Sequence, residues 1–187
     1  GALKDVTAPK LGAIAINGAL KKSGLSPENV EEVILGNVLS AGVGQAPARQ
    51  ASIYAGLPNN VECLTINKMC GSGLQAVMMA DQIINNNPDE IIIAGGMESM
   101  SQSPHYLLNS RIGNRLGNGK LVDGMIIDGL WDVYNDKHMG NCAEMCAEKY
   151  DISRDEQDNY AIESYKKSQD SITNNIFSKE IIPIEVS

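Results

Sequence analysis

Residues 61–84 restrict the fold of this chain more than any other stretch. Val61-Glu62-Cys63-Leu64-Thr65-Ile66 mixes apolar and β-branched side chains and reads as a buried strand, and 74–84 reads as a helix. That helix carries Leu74, Ala76, Val77, Met78, Met79, Ala80, Ile83 and Ile84 on nearly every side. A helix so apolar is usually enclosed by protein, which here predicts a buried helix between two sheets. Beyond Asn85-Asn86-Asn87-Pro88, the run Ile91-Ile92-Ile93-Ala94 shows no alternation, as in a parallel strand covered on both faces. Gly95-Gly96 is expected to end that strand. Strands alternating with helices imply a mainly parallel α/β sheet with right-handed crossovers.

The flanking sequence fits this pattern. Thr7 offers an N-cap and Pro9 a first-turn proline for a helix running to about residue 22, with Gly24 as its left-handed cap. Ser26-Pro27-Glu28 marks a capped turn, 32–38 a strand, 42–47 a loop, and 48–55 a helix stopped by Gly56 and Pro58. From about 101 to 137 periodicity fades, and so long a loop in a compact domain is usually functional or an assembly device. Helix resumes over 139–150. Ser153-Arg154-Asp155-Glu156 is a capping box for a polar helix reaching about 173 near the surface, with Tyr160, Ala161, Ser164 and Tyr165 as a thin inner stripe. Residues 181–186 read as a strand.

Composition narrows the partners. The 187 residues can bury a real core, and with one Phe and one Trp that core must rest on Ile, Val, Leu, Met and Ala. A net charge of −8, with no basic run longer than two residues, argues against nucleic acid and anionic membrane. No apolar run approaches a membrane span and no signal-peptide pattern opens the chain, so a cytoplasmic location is expected, with an address on a preceding segment left open. Cys63, Cys70, Cys142 and Cys146 form no Cys-x-x-Cys pair, and no histidine lies at zinc-site spacing. Reduced thiols and no metal are expected.

The chemistry centres on Cys70, in the turn Asn67-Lys68-Met69-Cys70-Gly71-Ser72-Gly73. A cysteine between a strand and a helix start sits near unpaired N–H groups and the positive end of the helix dipole, an environment that favours a nucleophilic sulfur. Gly71 and Gly73 let backbone and ligand approach closely. By itself a free cysteine is more often plain packing.

Asn67-Lys68-Met69-Cys70-Gly71-Ser72-Gly73-Leu74-Gln75-Ala76, followed one strand later by Ala94-Gly95-Gly96-Met97-Glu98-Ser99-Met100-Ser101, resembles the thiolase family, and its short-chain, acetyl-CoA-using branch in particular. The likeness runs almost end to end. It implies a thiolase-like fold, half of a five-layered αβαβα arrangement, with 1–187 as an incomplete N-terminal domain lacking its first strand and the C-terminal domain absent. It implies that Cys70 carries the acyl group as a thioester. It also implies that a second half supplies a histidine in a Gly-His-Pro context and a cysteine in a Cys-Gly-Gly context, so the fragment alone is expected to be inactive.

His138-Met139-Gly140 matches the family segment lining the pantetheine channel, which implies that Met139 packs on pantetheine and His138 shapes the tunnel; Leu130 falls at the apolar pantetheine contact. The bland reading makes Met139 a core residue and His138 a hydrogen-bonded histidine at a helix start. His105 is read as structural or exposed, and Glu98 and Ser99 as hydrogen-bonding supports. Gly36-Asn37-Val38 and Gln45-Ala46-Pro47-Ala48-Arg49 are assigned to structure and assembly, and 107–133 to the segment docking dimers into tetramers.

The implied reaction is condensation of two acetyl-CoA to acetoacetyl-CoA and CoA, or its thiolytic reverse, without metal or redox cofactor, in a homo-oligomer (dimer or tetramer) serving fatty acid metabolism. Two other readings stay open. One is a ketoacyl-synthase-type condensing enzyme, and the other a non-catalytic thiolase-like assembly or binding module.

Overall fold

The computed structural model describes residues 1–113 and 115–186. They form two compact units, one comprising Gly1–Gly129 with the last few residues and the other Leu130–Pro183.

The first unit is built on a three-stranded parallel sheet of order β2-β1-β3, with β1 at Glu32–Gly36, β2 at Glu62–Ile66 and β3 at Ile92–Gly96. Helices α1 (Ala8–Ser23) and α2 (Pro47–Tyr54) pack together on one side of it. The core lies there: Ala13, Ile16 and Leu20 of α1 meet Ala48 and Ala51 of α2, and Val33 and Leu35 of β1. Ile34, equally buried, points by strand alternation to the opposite face, where α3 (Ser72–Asn86) contacts β1 and β3. The central strand is therefore covered on both faces, whereas β3, which holds most of the apolar run 91–94 from which such cover was expected, ends the sheet order and is only half-buried.

Three expectations change here. Gly95 and Gly96 do not end β3; they continue it, in register with Leu35 and Gly36. Of the two, Gly96 faces the start of α3: a Cβ there would lie 3.4 Å from Gly73 Cα, whereas one on Gly95 would meet only Leu35 Cδ2 at 3.9 Å. The helix itself is covered on one face only. Ser72, Ala76 and Ala80 form its buried stripe, while Leu74 (69% exposed), Val77 and Met78 stand open within this chain. Residues 181–186 form no strand among the described residues. A strand needs a ladder partner, and Pro183 has no N–H to offer one.

The helix ends follow local rules. Gly24 closes α1 at φ 71° as a left-handed cap, and α1 begins at Ala8 after an extended Thr7 whose side chain makes no capping bond. The stretch after β3 is less irregular than its sequence implies. In the first unit β4 (His105–Leu107) pairs antiparallel with β5 (Leu121–Asp123). A π-helical turn at Ile126–Leu130 follows, its last residue being the first of the second unit.

In the second unit β6 (Trp131–Asp132) pairs with β7 (Lys137–His138), which leads into α4 (Met139–Lys149) and α5 (Arg154–Thr173). The capping box at Ser153 and Glu156 forms as expected. The inner stripe of α5 does not: Tyr160 and Tyr165 are more than 70% exposed and no α5 residue is buried, because no described element covers that face. Among the described residues no helix is long and apolar enough to cross a membrane.

Candidate nucleophile turn

Strand β2 ends at Ile66 and α3 starts at Ser72, so Cys70 stands in a five-residue turn, one position before the helix N-cap Gly71. Its thiol is free and the residue exposed; Cys63, Cys142 and Cys146 are free as well, the first two only half-exposed. The turn is tight because Met69 takes the left-handed conformation, φ 49°. For a long, non-glycine side chain this costs about 1–3 kcal/mol and persists only where the surroundings over-determine it.

Here they do. The Met69 N–H donates to Asn67 Oδ1 at 2.9 Å, an Asx turn, and the Met69 carbonyl accepts from the Ser72 N–H at 3.0 Å and the Ser72 hydroxyl at 2.6 Å. The Ser72 oxygen in turn accepts the Lys68 N–H at 2.8 Å, and the Gly71 N–H reaches the Lys68 carbonyl at 3.1 Å. Ser72 is buried, wedged against Gly36 at the end of β1. The Lys68 ammonium lies along the first turns of α3, donating to Gln75 Oε1 at 2.7 Å. A strained strand-to-helix turn of this kind lifts one side chain clear of the sheet edge, where an attacking atom has room for a substrate.

Glu98 lies beyond β3 and works as a clamp. Its carboxylate accepts from Asn37 Nδ2 (2.7 Å), the Val38 N–H (2.8 Å) and the Leu39 N–H (3.1 Å), fixing the loop that leaves β1. The Ser99 hydroxyl donates to the Val6 carbonyl. Arg49 of α2 ties down the entry to β2 through the Val61 and Asn59 carbonyls, and Thr65 Oγ1 accepts the Ala48 N–H at the start of α2. Each of these groups braces backbone or an amide through hydrogen bonds. His105 is exposed on β4, opposite Asp123.

Leu130, His138 and Met139 belong to the second unit. His138 is the N-cap of α4, its Nδ1 accepting the Gly140 N–H at 3.0 Å, so the neutral ring carries its proton on Nε2. The helix-start role foreseen for it is therefore real. Met139 is 41% exposed and not a core residue, and Leu130 is half-buried. Sequence reasoning passed over Asn67 and Ser72. The Asn-x-Met spacing carried an Asx-turn signal; nothing in the sequence marked the hydroxyl of Ser72 as a bridge.

Comparison with known proteins places the chain in a family. Residues 1–187 match the family described as thiolase, N-terminal domain. The chain is 53% identical over its whole length to acetyl-CoA acetyltransferase 2 of Arabidopsis thaliana, covering 46% of that protein. It is 53% identical over 98% of its length to an acetyl-CoA acetyltransferase of Cupriavidus necator, covering 47% of it. A mitochondrial acetyl-CoA acetyltransferase of Aspergillus fumigatus is again 53% identical, with 43% covered. The chain thus spans a little under half the length of these curated relatives.

Proposed function

Because the chain belongs to the thiolase family, we propose that it supplies the nucleophile of an acetyl-CoA C-acetyltransferase. The observation that carries this reading is Cys70: a free, exposed thiol on a strained turn at the start of a helix. The Cys70 sulfur attacks the carbonyl carbon of acetyl-CoA. The tetrahedral intermediate expels the coenzyme A thiolate, leaving acetyl-Cys70. Loss of a proton from the methyl group of a second acetyl-CoA gives a carbanion, which attacks this thioester. Acetoacetyl-CoA forms and the Cys70 thiolate leaves; in reverse, free coenzyme A cleaves acetoacetyl-CoA.

The Cys70 backbone N–H donates to the oxyanion as it forms, an interaction typically worth about 2.7–4 kcal/mol. The proton transfers fall to the histidine and second cysteine that the family resemblance assigns to a second half of the protein. Leu130, His138 and Met139 are assigned to the pantetheine wall. The exposed thioether of Met139 and the half-buried Leu130 offer apolar surface for it. The open edge of β2 and the exposed Leu108, Ile112 and Leu121 fit a protein that works as a homo-oligomer.

The test is peptide-resolved mass spectrometry of the full-length protein after brief exposure to acetoacetyl-CoA. An acetyl group on the Cys70 peptide, absent from Cys70→Ser, supports the reading. An unmodified Cys70 points to the assembly-module alternative. Transfer from acyl carriers other than coenzyme A points to the synthase.

A further inference from the structure

We propose that Ser72 and Asn67 are positioning residues that hold Cys70 at its point of attack; this rests on Cys70 being the acylated nucleophile. Neither side chain needs to touch substrate. The Ser72 hydroxyl closes a ring across the turn, accepting from the Lys68 N–H and donating to the Met69 carbonyl. Residues 68 and 69, which lead into Cys70, are thereby pinned to the first residue of α3. Asn67 holds Met69 from the other side through its N–H. Between them the two side chains keep Met69 left-handed, and the direction of the chain leaving Met69 sets where the Cys70 sulfur lies.

The ring is anchored to rigid structure. Ser72 is buried, and its Cβ and carbonyl carbon lie where a side chain on Gly36 would stand, so the helix start cannot slide along the sheet. Without the hydroxyl, the Met69 carbonyl keeps only the Ser72 N–H, the Lys68 N–H loses its acceptor, and the left-handed residue can relax toward ordinary φ. That relaxation moves Cys70. A nucleophile displaced by an ångström costs about 100-fold in rate. A residue that favours the left-handed region by itself should offset the loss, and asparagine does so far better than methionine.

The experiment is rapid-quench acetylation of Cys70 in the full-length protein by acetyl-CoA, followed by mass spectrometry, with steady-state kinetics and thermal unfolding alongside. For Ser72→Ala the expected result is acetylation slowed about 100-fold, with kcat reduced and KM within about twofold of wild type. Asn67→Ala, at an exposed position that leaves the fold intact, should slow the same step. Adding Met69→Asn to Ser72→Ala should recover about tenfold of the lost rate, which a purely stabilising role would not produce.

Acetylation at wild-type rate in Ser72→Ala or in Asn67→Ala overturns the proposal. So does a loss that follows the fraction unfolded and is not rescued by Met69→Asn. If Ser72→Ala does not fold, the rate in Asn67→Ala decides. A wild-type protein that takes no acetyl group overturns the acyl-transfer reading and this proposal with it.

Discussion

Gly36 and Ser72 meet at the junction of β1 and α3, so closely that a Cβ built on Gly36 would lie 2.6 Å from Ser72 Cβ and 2.9 Å from the Gly73 nitrogen. Both obstacles belong to a helix start locked by backbone hydrogen bonds, so neither can swing aside. Gly36→Ala should therefore destabilise the protein by about 1–3 kcal/mol, the usual range for overpacking. It should also impair Cys70, because the displaced residue is the one that holds the turn. Gly95→Ala is the control: its nearest neighbour is Leu35 Cδ2 at 3.9 Å, an ordinary contact. Urea unfolding of the two variants checks this, and a Gly36→Ala midpoint equal to wild type would refute it.

Glu98 braces the loop that leaves β1. Its carboxylate serves three donors around the buried Asn37 and the Val38 and Leu39 N–H groups. Glu98→Ala leaves the Val38 and Leu39 N–H groups without their acceptor, Asn37 Nδ2 keeping the Met97 carbonyl, and should cost about 1–3 kcal/mol. Glu98→Gln, which retains a carbonyl oxygen, should cost less. Acetylation of Cys70 in the folded fraction should stay near wild type in Glu98→Gln; a large loss there would make Glu98 part of the chemistry.

At the other end of the sheet, Glu32 and Glu62 stand opposite each other in the first rung of the β1–β2 pair. Burial, then repulsion from Glu62 and Glu90, raises the Glu32 carboxyl above its ordinary 4.5. The folded state thus holds this proton more tightly than the unfolded chain. Its stabilising contribution is complete below about pH 4.5 and is lost as pH rises through the higher folded value. Glu32→Gln should therefore stabilise the protein at neutral pH, by up to about 1 kcal/mol for relief of a like-charge cross-strand pair. Its advantage should vanish in acid. Melting temperatures of the two proteins across pH 3–8 test this, and an advantage that persists unchanged below about pH 4 would exclude it.

Tyr106 provides a spectroscopic handle on the stretch between β4 and α4. Its hydroxyl donates to Asp128 Oδ2 at 2.5 Å, and that bond, with burial and the carboxylate's charge behind it, pushes the phenol up from 10.0 to about 12. The folded state keeps the proton longer, so this contribution to stability is present below pH 10 and lost as pH climbs through about 12. Alkaline titration of tyrosinate absorbance should lose its last step in Tyr106→Phe. In Asp128→Asn that step should move back toward 10, and a titration identical to wild type would show that the pair does not form in solution.

Features decided within a few residues were legible in the chain itself. The capping box at Ser153, the left-handed Gly24, the strand–turn–helix around Cys70 and the parallel character of the apolar strands all follow from local backbone preference and side-chain periodicity. The family likeness belongs with them, since it rests on residues contiguous in sequence. What the tertiary structure alone decided depends on contacts between distant residues. Gly95 and Gly96 read as a break because glycine is a poor strand former; they are strand because they pair with Leu35 and Gly36 of β1. Residues 181–186 have the composition of a strand, but a ladder needs two strands, and no described one pairs with them. The apolar circumference of α3 says that the helix has neighbours, and only the packing shows which face this chain supplies. In the turn that carries Cys70, sequence marked the cysteine; the fold decided how it is held, because the hydroxyl of Ser72 becomes a bridge only once Met69 turns left-handed beneath it.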